Sequence, residues 1–182
     1  MNLLSPKTDV SRPITDRVKE SVFNILYNYG LPEESVVADL FCGVGSLGLE
    51  ALSRGAGFVT FVEKDRSVAA VLEKNISKAG FAAESKVIKS NAFRVGAPCY
   101  YDRPKYDLIF VDPPFKDLRD TGRSSQLGGL LSVLTQQTVD GALVVIRAHK
   151  DVQLKEVCEG LEIIDRRQWG INAVTILRRK NV

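Results

Sequence analysis

The sequence predicts an α/β protein with a mostly parallel seven-stranded sheet, helices on both faces and an antiparallel hairpin at its C-terminal end. Three observations carry this. Short apolar runs alternate with segments of helical periodicity, the pattern of strands joined by crossover helices. A glycine-rich turn, Gly43-Val44-Gly45-Ser46-Leu47-Gly48, connects the first apolar run to a helical segment. The last two apolar runs are separated only by Trp169-Gly170-Ile171-Asn172, a connection short enough for a hairpin.

Each element follows from local chemistry. Residues 1–13 are polar and punctuated by proline, and read as an arm preceding a single domain over 14–182. Thr15 is the expected N-cap of a helix whose apolar face is Val18, Val22, Ile25 and Leu26, stopped at Asn28-Tyr29-Gly30-Leu31-Pro32. Strands are expected at Ser35–Leu40, Phe58–Glu63, Ser85–Ser90, Asp107–Asp112, Gly141–Ala148, Leu161–Gln168 and Ala173–Arg179. Helices are expected at the glycine turn through Arg54, at Ser67–Ala79 before Gly80, at Gln126–Thr138 and at Val152–Glu159. Lys116–Gly129 is rich in Gly and Ser and reads as a flexible loop, either a lid or a plain loop.

At 182 residues, with 45% hydrophobic and 26% charged residues, the chain has the composition of an ordinary soluble domain. No apolar run is long enough for a membrane span and the N-terminus has no signal-peptide pattern, so the expected compartment is the cytoplasm. Cys42, Cys99 and Cys158 lack the spacing of a zinc site or a disulfide framework. With His149 as the single histidine no metal is expected, and without a long apolar run no membrane partner is expected. The net charge of +3 is only mildly basic. Basic residues cluster at Arg12, Arg17 and Lys19, after the Asp107–Asp112 strand, and near the C-terminus. They are either phosphate contacts or a solvated surface.

Two stretches carry chemistry. The first is the GxGxxG turn, with Glu63 ending the next strand twenty residues after Gly43. Glycines let backbone approach a ligand, and an acid at that strand end can accept hydrogen bonds from ribose hydroxyls. This points to an adenosine-containing cofactor. Asp39 stands four residues before Gly43. Aimed into the turn, its carboxylate would repel a pyrophosphate and suit a cation, which favours S-adenosyl-L-methionine (SAM) over a nicotinamide dinucleotide. Asn91, closing the third strand with Ala92, either contacts the adenine edge or caps a helix. The second stretch is Val111-Asp112-Pro113-Pro114-Phe115. Two prolines cannot extend a sheet ladder, so the strand ends in a stiff peptide with a carboxylate, backbone carbonyls and a ring.

Asp39 to Glu50 resembles motif I of SAM-dependent methyltransferases, and Asp112-Pro113-Pro114-Phe115 resembles the (D/N)PP(F/Y) motif of amino-methylating enzymes. Arg12-Pro13-Ile14-Thr15-Asp16-Arg17-Val18-Lys19-Glu20 resembles a segment of the RsmD family, bacterial enzymes that methylate the N2 amine of a guanine in small-subunit (16S) ribosomal RNA. The resemblance runs from about Leu4 to the C-terminus. It implies the Rossmann-like methyltransferase fold, SAM as cofactor, and ribosomal RNA or a small-subunit assembly particle as partner. It further implies a cofactor site drawn from Asp39, Phe41, Gly43, Gly45, Gly48 and Glu63, with Lys64, Asn91, Ala92 and Asp112 beside it. Asp112, Pro113, Pro114 and Phe115 would be catalytic: carboxylate and Pro113 carbonyl accept from the substrate amine while the ring stacks on the base. Family members commonly carry a Gly-, Lys- and Arg-rich strand pair before the Arg12–Glu20 segment, and this chain begins after that point. Weak, salt-sensitive RNA binding is the corresponding expectation. A DNA amino-methyltransferase, a nicotinamide-dependent oxidoreductase and a non-catalytic SAM- or RNA-binding module remain as other readings.

Overall fold

The computed structural model describes Leu4 and residues 14–99, 105–118, 120–154 and 159–181. The expected arm, apart from Leu4, lies outside the described residues, as do Arg12, Arg119 and Cys158. Seven strands form one sheet: β1 (Val36–Leu40), β2 (Phe58–Glu63), β3 (Ser85–Lys89), β4 (Tyr106–Val111), β5 (Thr138–His149), β6 (Leu161–Trp169) and β7 (Asn172–Arg179). Their spatial order is β3-β2-β1-β4-β5-β7-β6. The pairs from β3 to β5 are parallel, and β5–β7 and β7–β6 are antiparallel.

The strands are apolar on both sides because both faces are covered. On one face α1 (Asp16–Tyr27), α2 (Ser46–Ser53) and α3 (Arg66–Ala79) pack Val22, Leu49 and Leu72 against Phe61, Phe110 and Val145. On the other, α4 (Ala92–Val95) and α5 (Gln126–Gln137) pack Ala92, Leu127 and Leu134 against Ile109, Val111 and Ile146. The alternation of Phe110 and Val111 between the two faces is the period-two rule of a strand.

Caps fix where the helices begin. Asp65 receives the N–H groups of Ser67 and Val68 at the start of α3, and Gly80 at φ 80° closes it. Thr15 occupies the N-cap position of α1 but makes no side-chain capping bond. Ser125 caps α5 by accepting the Gly128 N–H. The Lys116–Gly129 segment is therefore not one loop: Phe115–Leu118 is a 3-10 turn, and Gly128 and Gly129 lie inside α5. Thr121 is buried and its hydroxyl donates to the Gln153 carbonyl at 2.8 Å. Gly128 is glycine because a Cβ there would run into the Gly122 and Arg123 carbonyls.

Two further expectations change. The fifth strand starts at Thr138 rather than Gly141, with a register shift against β4 between Tyr106 and Leu108. The helix expected from Val152 does not start there; Val152–Leu154 are irregular, and residues 155–158 lie outside the described residues. The Val152 and Gln153 carbonyls accept from the Arg166 and Thr121 side chains.

Gly48 shows how tightly α2 lies on the sheet. A Cβ at this position would meet the Phe61 ring and Val59 of β2. Gly48→Ala should therefore cost about 1–3 kcal/mol through overpacking. Thermal denaturation should show a fall of roughly 3–10 °C in Tm; an unchanged Tm would mean that α2 can lift from the sheet freely.

Candidate active site

The parallel register sets the site. Leu40 of β1 pairs with Val62 of β2 and with Val111 of β4, and Val111 pairs with Ile146 of β5. The next residue on each chain is therefore Phe41, Glu63, Asp112 and Arg147, brought to one row at the carboxyl ends of the strands. Ligands of open α/β sheets bind at this edge.

The glycine turn leaves β1 through strained backbone. Phe41 has φ 60°, a conformation that costs a non-glycine residue energy, and Gly45 follows at φ 90°. Two carboxylates hold the turn. The Gly43 N–H donates to Glu63 Oε2 at 3.1 Å, while the Asp65 N–H donates to Glu63 Oε1 at 2.8 Å. The Gly48 N–H donates to Asp39 Oδ2 at 2.8 Å. Gly45 has no side chain with which to cap α2, so the neighbouring strand supplies the cap.

Asp39 is only 1% exposed. It lies beneath the turn rather than in the open crevice. Burial pushes its carboxyl up to about 8; the Gly48 N–H pulls it down, and the charges of Asp112 and Glu63 push it further up. Burial, with Asp39 and Glu63 nearby, also raises the Cys42 thiol well above its ordinary value, so Cys42 is a filler of the turn rather than a nucleophile. Phe41 packs its ring on Phe93 of α4, centroids 4.7 Å apart, which draws α4 beside the turn. Asn91 caps α4 by accepting the Phe93 N–H at 3.0 Å, so its carbonyl oxygen serves the helix start. Ala92 is buried behind it and Lys64 is exposed on the rim.

Asp112 heads the second half of the site. Its own N–H still joins the sheet, donating to the Leu40 carbonyl at 3.3 Å. Its carboxylate is gripped by Arg147: Nε to Oδ1 at 2.7 Å and Nη2 to Oδ2 at 2.8 Å. Burial raises the Asp112 carboxyl above the ordinary value, and the Arg147 guanidinium pulls the other way. The Pro114 carbonyl accepts the Asp117 N–H, closing the 3-10 turn. Phe115 stands edge-on to His149, centroids 5.8 Å apart, and the Arg147 guanidinium lies 5.7 Å from its ring centre.

Arg147 is the residue that sequence reasoning missed. Its signal was a single charge inside the apolar run Ala142-Leu143-Val144-Val145-Ile146-Arg147-Ala148. Asn75 was missed as well: from α3 its side-chain amide donates to the Val44 carbonyl at 3.1 Å and pairs with both the N–H and the carbonyl of Leu4. Parts of the basic clusters are internally paired. Lys19 bonds Glu50 and Asp16, Arg178 bonds Glu162, and Arg167 bonds Asp165. A cavity of about 640 Å³ lies at the opposite, amino-terminal edge of the sheet, between Tyr29, Asp107, Asp140 and Lys180. Its acids, Asp107, Asp140 and Glu162, stand among Arg178, Arg179 and Lys180, and the Gly43–Gly48 turn lies at the other edge of the sheet.

A family model described as Conserved hypothetical protein 95 matches residues 1–178. The chain belongs to that family. It is the RsmD family that the sequence resembles. Ribosomal RNA small subunit methyltransferase D of Haemophilus influenzae is 41% identical over 104 residues, covering 57% of this chain and 53% of that protein. The alignment thus spans about half the length of that relative. YlbH of Bacillus subtilis is 28% identical over 172 residues, covering 93% of this chain and 89% of that protein. Among solved structures, yhhF from Escherichia coli superposes with a TM-score of 0.78 at 28% identity, covering 99% of this chain and 92% of that one.

For this RsmD-family chain the buried acid beneath the turn has a measurable consequence. In the unfolded chain Asp39 titrates near 3.8, and in the folded state near about 8. Between those values the folded state holds a proton that the unfolded state has lost, so stability falls as pH rises through this window. Asp39→Asn keeps an acceptor for the Gly48 N–H and removes the titration. From about pH 5 to about pH 8 the Tm of the ligand-free wild type should drop roughly 5–10 °C more than that of the variant. Parallel Tm-against-pH curves would show that Asp39 is ionised in the fold.

Proposed function

We propose that the chain transfers a methyl group from SAM to the exocyclic N2 amine of a guanine in small-subunit ribosomal RNA, naked or within an assembly particle, in the cytoplasm. The observation that carries the reading is the row of Glu63, the glycine turn, Asp112 and Pro113 along one edge of the sheet. Family membership supports methyl transfer. The names of curated relatives support ribosomal RNA as substrate.

The donor set fits SAM. Asp39, Glu63 and Asp112 place three carboxylates along this edge, and Asp39 feels the charge of the other two. A ligand with cationic ammonium and sulfonium groups would favour the ionised form of these acids, whereas a dianionic pyrophosphate would oppose it. Glu63 and Gly43 would hold the ribose and the turn's backbone would hold the methionine end; Phe41 and the Asn91–Ala92 turn would line the adenine side. When bound, SAM supplies a methyl group on a good leaving group, so the protein's task is alignment.

The amine is a poor nucleophile because its lone pair is delocalised into the guanine ring. Acceptors on its two N–H groups favour the pyramidal nitrogen that attack requires. Asp112 supplies one through the carboxylate lone pairs that Arg147 leaves, and the Pro113 carbonyl supplies the other. The Phe115 ring supports the base, which has to leave its stack to reach the crevice.

Tritiated-methyl transfer from SAM to RNA from cells lacking the activity, followed by nucleoside analysis, tests the reading. N2-methylguanosine is expected; labelled adenosine or cytidine, or no transfer to any RNA, contradicts it. Two variants test the roles. Glu63→Ala should weaken SAM binding about tenfold or more, since hydrogen bonds to a charged group contribute roughly 1.5–3 kcal/mol each. Calorimetry giving wild-type affinity would remove Glu63 from the site. Asp112→Ala should spare SAM affinity much more than Glu63→Ala does but slow single-turnover transfer by about 10²–10³, the range for one well-placed transition-state group. It should also lower Tm, because it removes the carboxylate that takes two edges of the buried Arg147 guanidinium. Asp112→Asn should be milder in both respects. Near wild-type transfer by the alanine variant would end the catalytic assignment.

A further inference from the structure

Arg147 stands on β5, two residues before its end, and is 9% exposed. A charge so buried is held by partners. Two edges of its guanidinium take both oxygens of Asp112, and Nη1 donates to Asn172 Oδ1 at 3.3 Å. Asn172 opens β7 and pairs with His149 across the β5–β7 ladder. The same guanidinium lies beside Phe115, which His149 meets from its other neighbour position on β5. One side chain thus ties the end of β4, the ring that follows it and the start of β7.

The charged groups around Asp112 come from several elements. Arg147 faces it from β5, and Asp39 is coupled to it from β1. Glu63 faces Asp39 from β2, and His149 lies beyond Phe115, paired with Asp151. Among the described residues, Arg147 is therefore the cation bonded to an acid on this side of the crevice. Each carboxylate oxygen has two lone pairs, and a forked guanidinium occupies one on each. The remaining pair on each oxygen lies in a plane that the fork fixes.

We infer that Arg147 is a positioning residue for the transfer: its forked grip keeps Asp112 an ionised acceptor and fixes the plane in which it meets the substrate amine. The inference rests on the proposed methyl transfer but has a readout of its own. Without the guanidinium the buried Asp112 holds its proton to higher pH, and a protonated carboxyl is a poorer acceptor. A lysine is a point charge with no planar fork, so it would keep the charge and lose the orientation.

The test compares Arg147→Gln and Arg147→Lys, alone and on an Asp112→Asn background. In Arg147→Gln, the Asp112 carboxyl resonance of ¹³C-aspartate-labelled protein should titrate at least about one pH unit higher than in wild type. Single-turnover transfer near neutral pH should fall tenfold or more, with recovery towards pH 9 and SAM affinity within about twofold. On the Asp112→Asn background the same change should cost less than about threefold, because an amide needs no counter-charge. Arg147→Lys should lose several-fold in rate with a pH profile parallel to wild type. An unmoved carboxyl titration, equal losses in both backgrounds, or a wild-type rate in the lysine variant each overturns the inference. If the glutamine variant does not fold, the lysine variant decides alone. Should the wild type methylate no RNA, the functional reading fails while the carboxyl titration still decides the Arg147–Asp112 coupling.

Discussion

Two carboxylates hold the glycine turn, one from the side and one from beneath. Glu63 receives the Gly43 N–H and Asp39 receives the Gly48 N–H, so the turn is tied to β2 at its start and to β1 at its end. Everything in the crevice is referred to this frame. Phe41 can be kept at positive φ only because the surrounding backbone is fixed, and its ring then fixes α4 through Phe93. Burying an acid such as Asp39 is costly, and here the cost is met partly by a hydrogen bond and partly by retention of a proton. The turn is consequently rigid before any ligand arrives, and a rigid site loses less entropy on binding.

Helix packing depends on the same frame. With no side chain at Gly45 or Gly48, α2 descends onto Phe61 and Val59, and the cap that the helix lacks comes from Asp39. From the other side Asn75 of α3 takes the Val44 carbonyl, and it also holds the backbone of Leu4 at both its polar atoms. The turn is thus gripped by β1, β2 and α3 together, and a change in any of them reaches the crevice through one or two hydrogen bonds.

What could be read in the sequence was local. The glycine spacing, Glu63 and the double proline announce themselves within a few residues, and strand alternation gave the sheet. Arg147 could not be assigned because its meaning lies in a partner 35 positions away, reached only through the β4–β5 register. A lone charge in an apolar strand was its only mark. The Lys116–Gly129 segment was misread for the opposite reason. Its glycines suggested mobility, yet Gly128 is small so that turn carbonyls can close on α5, and Thr121 is pinned to Gln153. At Val152 and Gln153 the carbonyls accept from the Arg166 and Thr121 side chains, long-range contacts that no local pattern records. Asn91 had two open readings; the structure shows the capping one, and contact with the adenine edge is a proposal.

The electrostatics divide the crevice into two halves with different demands. The half under the turn holds Asp39 and Glu63 with no described cation bonded to either, and it responds by keeping Asp39 protonated. A cationic ligand would relieve that half directly. Under the proposed function the half at β4 could not respond in the same way, because a protonated Asp112 would be a poorer acceptor for a substrate amine. There the fold supplies a resident cation instead, held to both carboxylate oxygens and braced by Asn172. The two solutions are consistent with the two proposed tasks. An acid that only shapes the turn can be neutral, whereas an acid proposed to meet a substrate N–H is the better acceptor when charged, and the Arg147 guanidinium opposes the upward pull of burial on Asp112.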